Sequence, residues 1–202
     1  MPIKNIVFDV GNVLVRWDPV WIIENAFASY ENKEKRLQQI FNSGIWADLN
    51  LGKFSEAEAI NIYQQKFGIE QTKLQRLMQT VKHSLTPLPG SFELFDDLHR
   101  AGYQLYLLTD NVHEIVAHLK QTYHFWDKVV GAVVSAEIGH LKPSAEIYHY
   151  LLNTHDLTPH ETVFLDDLQK NIEGAQKHGI HGIQFKHGAQ AMEALREIGV
   201  NI

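Results

Sequence analysis

The stretch "NIVFDVGNVLV", residues 5–15, decides how the rest of the chain is read. Its apolar residues are consecutive rather than alternating, and Ile6 and Val7 are β-branched, which suits a strand covered on both faces. Asp9 interrupts that run, and Gly11 stands two residues beyond it. An acid at the end of a buried strand is either a solvated rim residue or a functional group. What the other strand ends carry decides between the two.

Four more segments have the same look: "YQLYLLTD" (103–110), "VVGAVVS" (129–135), "TVFLDD" (162–167) and "IHGIQF" (180–185). Helical patterns lie among them, including "SFELFDDLHRAG", "NVHEIVAHLKQ", "PSAEIYHYLLN" and "LQKNIEGAQKHG". Gly102 and Gly179 fall where helices stop, and Asn111 with Glu114 has capping-box spacing. The alternation predicts βαβ units and a doubly wound α/β domain with a parallel sheet. One region breaks it. From Asp18 to His83 only helical stretches appear, among them "VWIIENAFASY", "KEKRLQQIF" and "SEAEAINIYQQKF", the last opened by a Ser55 to Glu58 capping box. "TPLPG" at 86–90 reads as the linker back. The expected division is a core of residues 1–17 and 84–202, with a helical module of residues 18–83 inserted over the carboxyl end of the first strand.

Composition narrows the function classes. A chain of 202 residues, 45% of them hydrophobic, builds one good core with a small accessory module. Apolar runs such as "VVGAVV" fall far short of the ~18 residues a spanning helix requires. The N-terminus does not read as a signal peptide, so a cytoplasmic location is expected. The absence of cysteine excludes thiolate metal sites and disulfides. A net charge of −6 repels nucleic acid. The 12 histidines are scattered, and none forms the paired spacing of a hydrolytic zinc site.

In a parallel sheet the residues following each strand share one edge, where ligands of open α/β sheets bind. The first strand brings Asp9 there, the second Thr109, Asp110 and Asn111, and the fourth Asp166 and Asp167; Lys142 lies in the segment "GHLKPS", just before Pro143, which suits the first turn of a helix. Singly, each is an ordinary cap or rim residue. Together, the carboxylates repel unless a cation sits among them. With hard oxygen donors the expected cation is Mg²⁺, which leaves positions open for water and substrate phosphate. Lys142 and the Thr109 hydroxyl can hold phosphate oxygens, and a carboxylate such as Asp9 can attack phosphorus.

With "FDVGNVLV", "LLTDN", "HLKPSAEIY" and "VFLDDLQKNIEGA" in this order, the chain resembles the haloacid dehalogenase-like hydrolase superfamily over essentially its full length. "IWADLNLGKFS" and the "DDxxxNIEGA" ending look like the subgroup of bacterial sugar-1-phosphate phosphatases; the phosphatase domain of soluble epoxide hydrolases is a more distant likeness. The resemblance implies a Rossmann-like core under a helical cap, and a small phosphorylated substrate such as glucose 1-phosphate, handled by a monomer or homodimer. It makes Asp9 the nucleophile and Mg²⁺ ligand, Thr109 the phosphate-binding hydroxyl, and Lys142 the neutralising cation. Asp167 and the Gly11 carbonyl complete the metal ligands. Asp166 and Asn171 support them, while Gly11, Asn12, Asp110 and Asn111 are substrate contacts.

Most phosphatases of the superfamily carry a second aspartate where this chain has Gly11, its carbonyl on the metal and its side chain the general acid and base. Glycine keeps the carbonyl and loses the acid. General acid–base catalysis contributes ~10²–10⁴-fold, so the loss slows a phosphatase without silencing it. An easily departing leaving group, such as an anomeric or acyl phosphate, suffers least. Asp18 and Asp110 are the possible substitutes, although Asp18 before Pro19 also suits a helix cap. Trp17, Trp21 and Trp46 either stack on a sugar or pack the core. Three rival readings remain: a haloacid dehalogenase, a non-catalytic phosphate-binding regulator, and a receiver-type phosphoacceptor domain.

Overall fold

The protein, seen in a computed structural model, is described over residues 2–28 and 31–202. Met1 lies outside that range, as do Ser29 and Tyr30, the end of the expected "VWIIENAFASY" helix. Each expected strand forms: β1 (Asn5–Phe8), β2 (Gln104–Thr109), β3 (Gly131–Val134), β4 (Thr162–Asp166) and β5 (His181–Gln184). They make one five-stranded sheet in the order β3-β2-β1-β4-β5, with every neighbouring pair parallel.

Five helices precede β2 by way of an insertion after β1, namely α1 (Pro19–Ala26), α2 (Lys33–Ile40), α3 (Ile45–Asn50), α4 (Glu56–Phe67) and α5 (Gln71–Ser84). The remaining helices are α6 (Ser91–Arg100), α7 (His113–Thr122), α8 (Ser135–Ile138), α9 (Ala145–Thr154), α10 (Gln169–Gln176) and α11 (Gly188–Glu197). Side chains alternate between the two faces of the sheet. Ile6, Phe8, Leu105 and Leu107 pack with apolar residues of α6, α7 and α11, whereas Val7, Tyr106, Leu108 and Phe164 pack with those of α9 and α10. Both faces are covered, which is why the strands read as unbroken apolar runs.

The insertion leaves and rejoins the core along paired connectors. Arg16 N donates to Thr86 O at 2.8 Å and Leu88 N to Leu14 O at 2.9 Å, with Val15 bridged antiparallel to Pro87. Its helices start as local chemistry dictates. Asp18 caps α1 by accepting from Trp21 N at 2.9 Å, with Pro19 in the first turn. Ser55 and Glu58 form the reciprocal capping box of α4. Helix α1 ends at Ala26, short of the expected stretch, because Phe27 turns extended and buries its ring 5.1 Å from the Arg36 guanidinium.

Two local expectations give way to tertiary contacts. The box at Asn111 and Glu114 does not form: α7 begins at His113 without a side-chain cap. Glu114 Oε1 accepts instead from Glu56 N at 3.0 Å, at the start of α4. Pro143 does not open a helix either. It sits in a turn in which Ser144 N donates to Leu141 O at 2.9 Å, and α9 begins at Ala145.

The turn after helix α3 lies close against the core at Gly52. A Cβ on Gly52, whose φ is +69°, would lie 2.1 Å from Ala136 O, whereas Gly44, with φ +89°, faces open space. Gly52→Ala is therefore expected to cost about 3 kcal/mol, from overpacking plus left-handed strain, and Gly44→Ala only about 1 kcal/mol. Urea midpoints of the two variants check the difference.

Candidate active site

Phe8 is level with Leu107 of β2 and Leu165 of β4, so the three central strands deliver their ends to the same edge. Asp9 continues the ladder, its N donating to Leu165 O at 2.9 Å. Its Oδ1 accepts from Val10 N at 2.7 Å and pairs with Lys142 Nζ at 2.8 Å. The Lys142 side chain is 1% exposed. Its ammonium also donates to Asp166 Oδ2 at 2.7 Å and to Leu108 O at 3.1 Å, filling all three of its donor directions.

Asp166 is saturated. Besides Lys142, its carboxylate accepts from Leu168 N at 2.8 Å and from Asn171 Nδ2 at 3.0 Å on both oxygens. A carboxylate only accepts, so this bond fixes the orientation of the Asn171 amide. Asn171 Oδ1 is left buried and without a partner among the described residues. Asp167 lies beside this group and accepts from Asn12 Nδ2 at 3.3 Å. Asn12 adopts a left-handed φ of +55°, and its Oδ1 accepts from Trp17 N at 2.9 Å.

Asp9, Asp166 and Asp167 each offer an oxygen within 4.8 Å of the others. Burial pushes the Asp9 carboxyl well above the ordinary range; Lys142 opposes this, while Asp166 and Asp110 add to it. Burial also raises Asp167, reinforced by Asp166, and raises Asp110 against the pull of Lys142. Burial pulls the Lys142 ammonium down, but Asp9, Asp166 and Asp110 outweigh it and drive it up. Fully ionised, three carboxylates against one ammonium leave an excess of two negative charges. A divalent cation cancels that excess. The residues present therefore fit a hard divalent ion such as Mg²⁺, with Asp9 and Asp167, whose oxygens are less encumbered than those of Asp166, the ones that could hold it.

These groups line one cavity of about 430 Å³, within the usual range for small-molecule sites. Gly11, Asn12, Thr109, Asp110 and Asn111 line it too. Asp110 Oδ1 accepts from Lys142 N at 3.0 Å, positioning the lysine's backbone. Asn111 Oδ1 is turned to Val112 N at 2.9 Å. Asp18 is not part of the cavity: its hydrogen bond from Trp21 N and its pairing with Arg16 hold its carboxyl below the usual range. Gly11 is not demanded by the backbone. A Cβ there would lie 3.6 Å from Trp17 Cβ, an ordinary contact.

The tryptophans divide. Trp17 and Trp46 stack with centroids 5.6 Å apart and line the cavity with Phe41, whereas Trp21 lies outside it under the Arg16 guanidinium. Phe41 and Ser135 carry no signal in the sequence. Phe41 is simply the residue after α2. Ser135, fully buried, accepts from Asn111 N at 2.9 Å and donates to Asn50 O at 2.6 Å, tying the β2 end to α3.

Comparison with known proteins finds relatives along nearly the whole chain. The sesquiterpene phosphatase astK of Aspergillus oryzae is 25% identical over 195 residues, 96% of each chain. The D-ribitol-5-phosphate phosphatase of Bacteroides thetaiotaomicron is 28% identical, covering 97% of this chain and 98% of that one. In fold, the chain is similar to a Bacteroides thetaiotaomicron enzyme solved with magnesium and inorganic phosphate, with a TM-score of 0.77, 24% identity, and coverage of 92% of this chain and 96% of that one. The pattern of haloacid dehalogenase-like hydrolases matches residues 3–179, a span that holds every strand end just described except β5, and the chain belongs to that family.

Proposed function

We propose that the protein is a Mg²⁺-dependent phosphomonoesterase that works through an aspartyl-phosphate on Asp9. The observation that carries this reading is the Asp9 to Lys142 contact of 2.8 Å, beside a carboxylate cluster that fits a divalent ion. Both recorded bonds of the Asp9 carboxylate use Oδ1, which leaves Oδ2 to attack phosphorus. As that bond forms, the ester P–O bond breaks and its electron pair leaves with the alcohol oxygen. Water then attacks the acyl phosphate, releasing phosphate and restoring the carboxylate. Lys142 offsets the negative charge on nucleophile and phosphoryl oxygens, and the Thr109 hydroxyl holds one of those oxygens. Asp9, Asp167 and the Gly11 carbonyl would hold Mg²⁺, which when bound would supply charge neutralisation for the phosphoryl group.

Residues 18–83 serve as the cap over this site, and the paired connectors at 14–16 and 86–88 are its hinge. The substrate is a small phosphorylated metabolite. The motif likeness makes glucose 1-phosphate one candidate, and the named relatives point to ribitol 5-phosphate and a sesquiterpenyl phosphate as others. Phosphate release from these three and from acetyl phosphate, with Mg²⁺ and with EDTA, tests the reading. Turnover that falls to background in EDTA is expected. Metal-independent chloride release from 2-chloropropionate, without phosphate release from any ester, overturns it in favour of dehalogenation.

A further inference from the structure

We propose that the ester this site prefers is an aryl phosphate, whose organic group is flat, apolar and phenolic. The proposal rests on the phosphomonoesterase reading and specifies its substrate class.

The cavity is chemically two-sided. All of its titratable side chains, Asp9, Asp110, Lys142 and Asp167, follow strand ends or lie against them, at the sheet edge. Much of the remaining lining is apolar and aromatic. Phe41 meets Trp46 with centroids 4.9 Å apart, and Trp17 lies 5.6 Å from both, so the three rings form one continuous patch. Leu168 also lines the cavity although it is 45% exposed, which puts an apolar residue at the mouth. Such a surface is best covered by an apolar ligand.

A polyol finds little to bind there. Of the asparagines lining the cavity, Asn12 is engaged with Asp167 and Trp17 N, Asn111 with Val112 N, and Asn171 with Asp166. The amides of Asn42 and Asn50, the Asn111 Nδ2 and the buried Asn171 Oδ1 are what remain for a substrate's hydroxyls, and the described lining has no Arg, His, Glu, Gln, Ser or Tyr. A ring stacked on tryptophan still presents hydroxyls at its edge, and without partners they lose their hydration uncompensated. Sites that select hydroxylated substrates are built with such partners.

The chemistry points the same way independently. Position 11 offers no side chain to protonate the leaving oxygen, and Asp110, the one other acid weighed for that task that lines the cavity, is held through Oδ1 by the backbone of Lys142. A leaving group that departs unprotonated must be weakly basic. A phenol, with a pKa of about 10, leaves far more readily than an aliphatic alkoxide.

Two matched measurements separate the claim from simple ester reactivity. First, kcat/KM is compared for phenyl, benzyl and glycerol phosphates with Mg²⁺. Benzyl and glycerol alcohols are similarly basic, so a benzyl preference of at least ~10²-fold reports the apolar wall, and a further gain for phenyl reports the leaving group. Second, binding of phenylphosphonate and methylphosphonate is followed by tryptophan emission. Phenylphosphonate is expected to bind at least ~10-fold tighter, and Phe41→Asn, at a half-buried position, is expected to reduce that margin. Glycerol phosphate matching benzyl phosphate, or equal binding of the two phosphonates, overturns the proposal while leaving phosphate hydrolysis intact. Preferential phenylphosphonate binding without hydrolysis of any ester overturns the phosphatase reading and the aryl ester with it, leaving only an aromatic pocket.

Discussion

Asp9→Asn is expected to remove Mg²⁺-dependent phosphate release by a factor on the order of 10⁶, the scale of losing a covalent nucleophile. The amide is nearly isosteric but cannot attack phosphorus. Collapse of the site is not the reason for the loss, because Lys142 keeps its bonds to Asp166 Oδ2 and Leu108 O. The carboxyl of Asp9 is also driven up by burial, so its ionised form is a burden on the folded state that a neutral amide relieves. Thermal unfolding of the variant should therefore match or exceed that of the wild type without metal. Adding Mg²⁺ should separate them: a ligand at about 100 times its Kd stabilises by roughly 2.7 kcal/mol, and the variant, with one oxygen ligand fewer, should gain less. A variant that still releases phosphate at the wild-type rate would remove Asp9 from the chemistry altogether.

Gly11→Asp should run in the opposite direction. The backbone at position 11 lies outside the left-handed region, and a Cβ there meets only Trp17 Cβ, at 3.6 Å. An aspartate can be built without a clash at Cβ, beside the cavity and two residues from Asp9. It restores a proton donor to the leaving oxygen and a base for the attacking water, together worth ~10²–10⁴-fold in kcat. The gain should be largest for esters of aliphatic alcohols and shrink for acetyl phosphate, whose leaving group needs little help. Parallel rate measurements on the two substrate types read this directly. An equal gain on both, or none, would mean that the glycine is kept for a reason unrelated to proton transfer.

Legibility differs sharply between residues that look alike in the sequence. Ser55 with Glu58 and Asn111 with Glu114 carry the same capping spacing, yet only the first forms, because the carboxylate of Glu114 is taken by Glu56 N from 58 residues away. Of three tryptophans offering the same apolar area, Trp17 and Trp46 stack in the cavity and Trp21 does not. Nothing in their spacing distinguishes them. Asp18 and Asp110 are both candidate substitute acids in the sequence, but Trp21 N and Arg16 occupy both oxygens of Asp18, whereas Asp110 gives only Oδ1 to Lys142 N.

The amino-acid order alone determined the five strands, the run of helices between the first two of them, and the delivery of Asp9, Thr109, Lys142, Asp166 and Asp167 to one edge. Those features depend on near-neighbour periodicity, local caps and the common direction of a parallel sheet. Tertiary structure alone decided which carboxylate is saturated and which can still bind, which aromatics face the cavity, and that Gly11 could carry a side chain. Each of these depends on which atoms packing brings into contact, and hydrogen-bond valences and steric gaps exist only once those partners are in place.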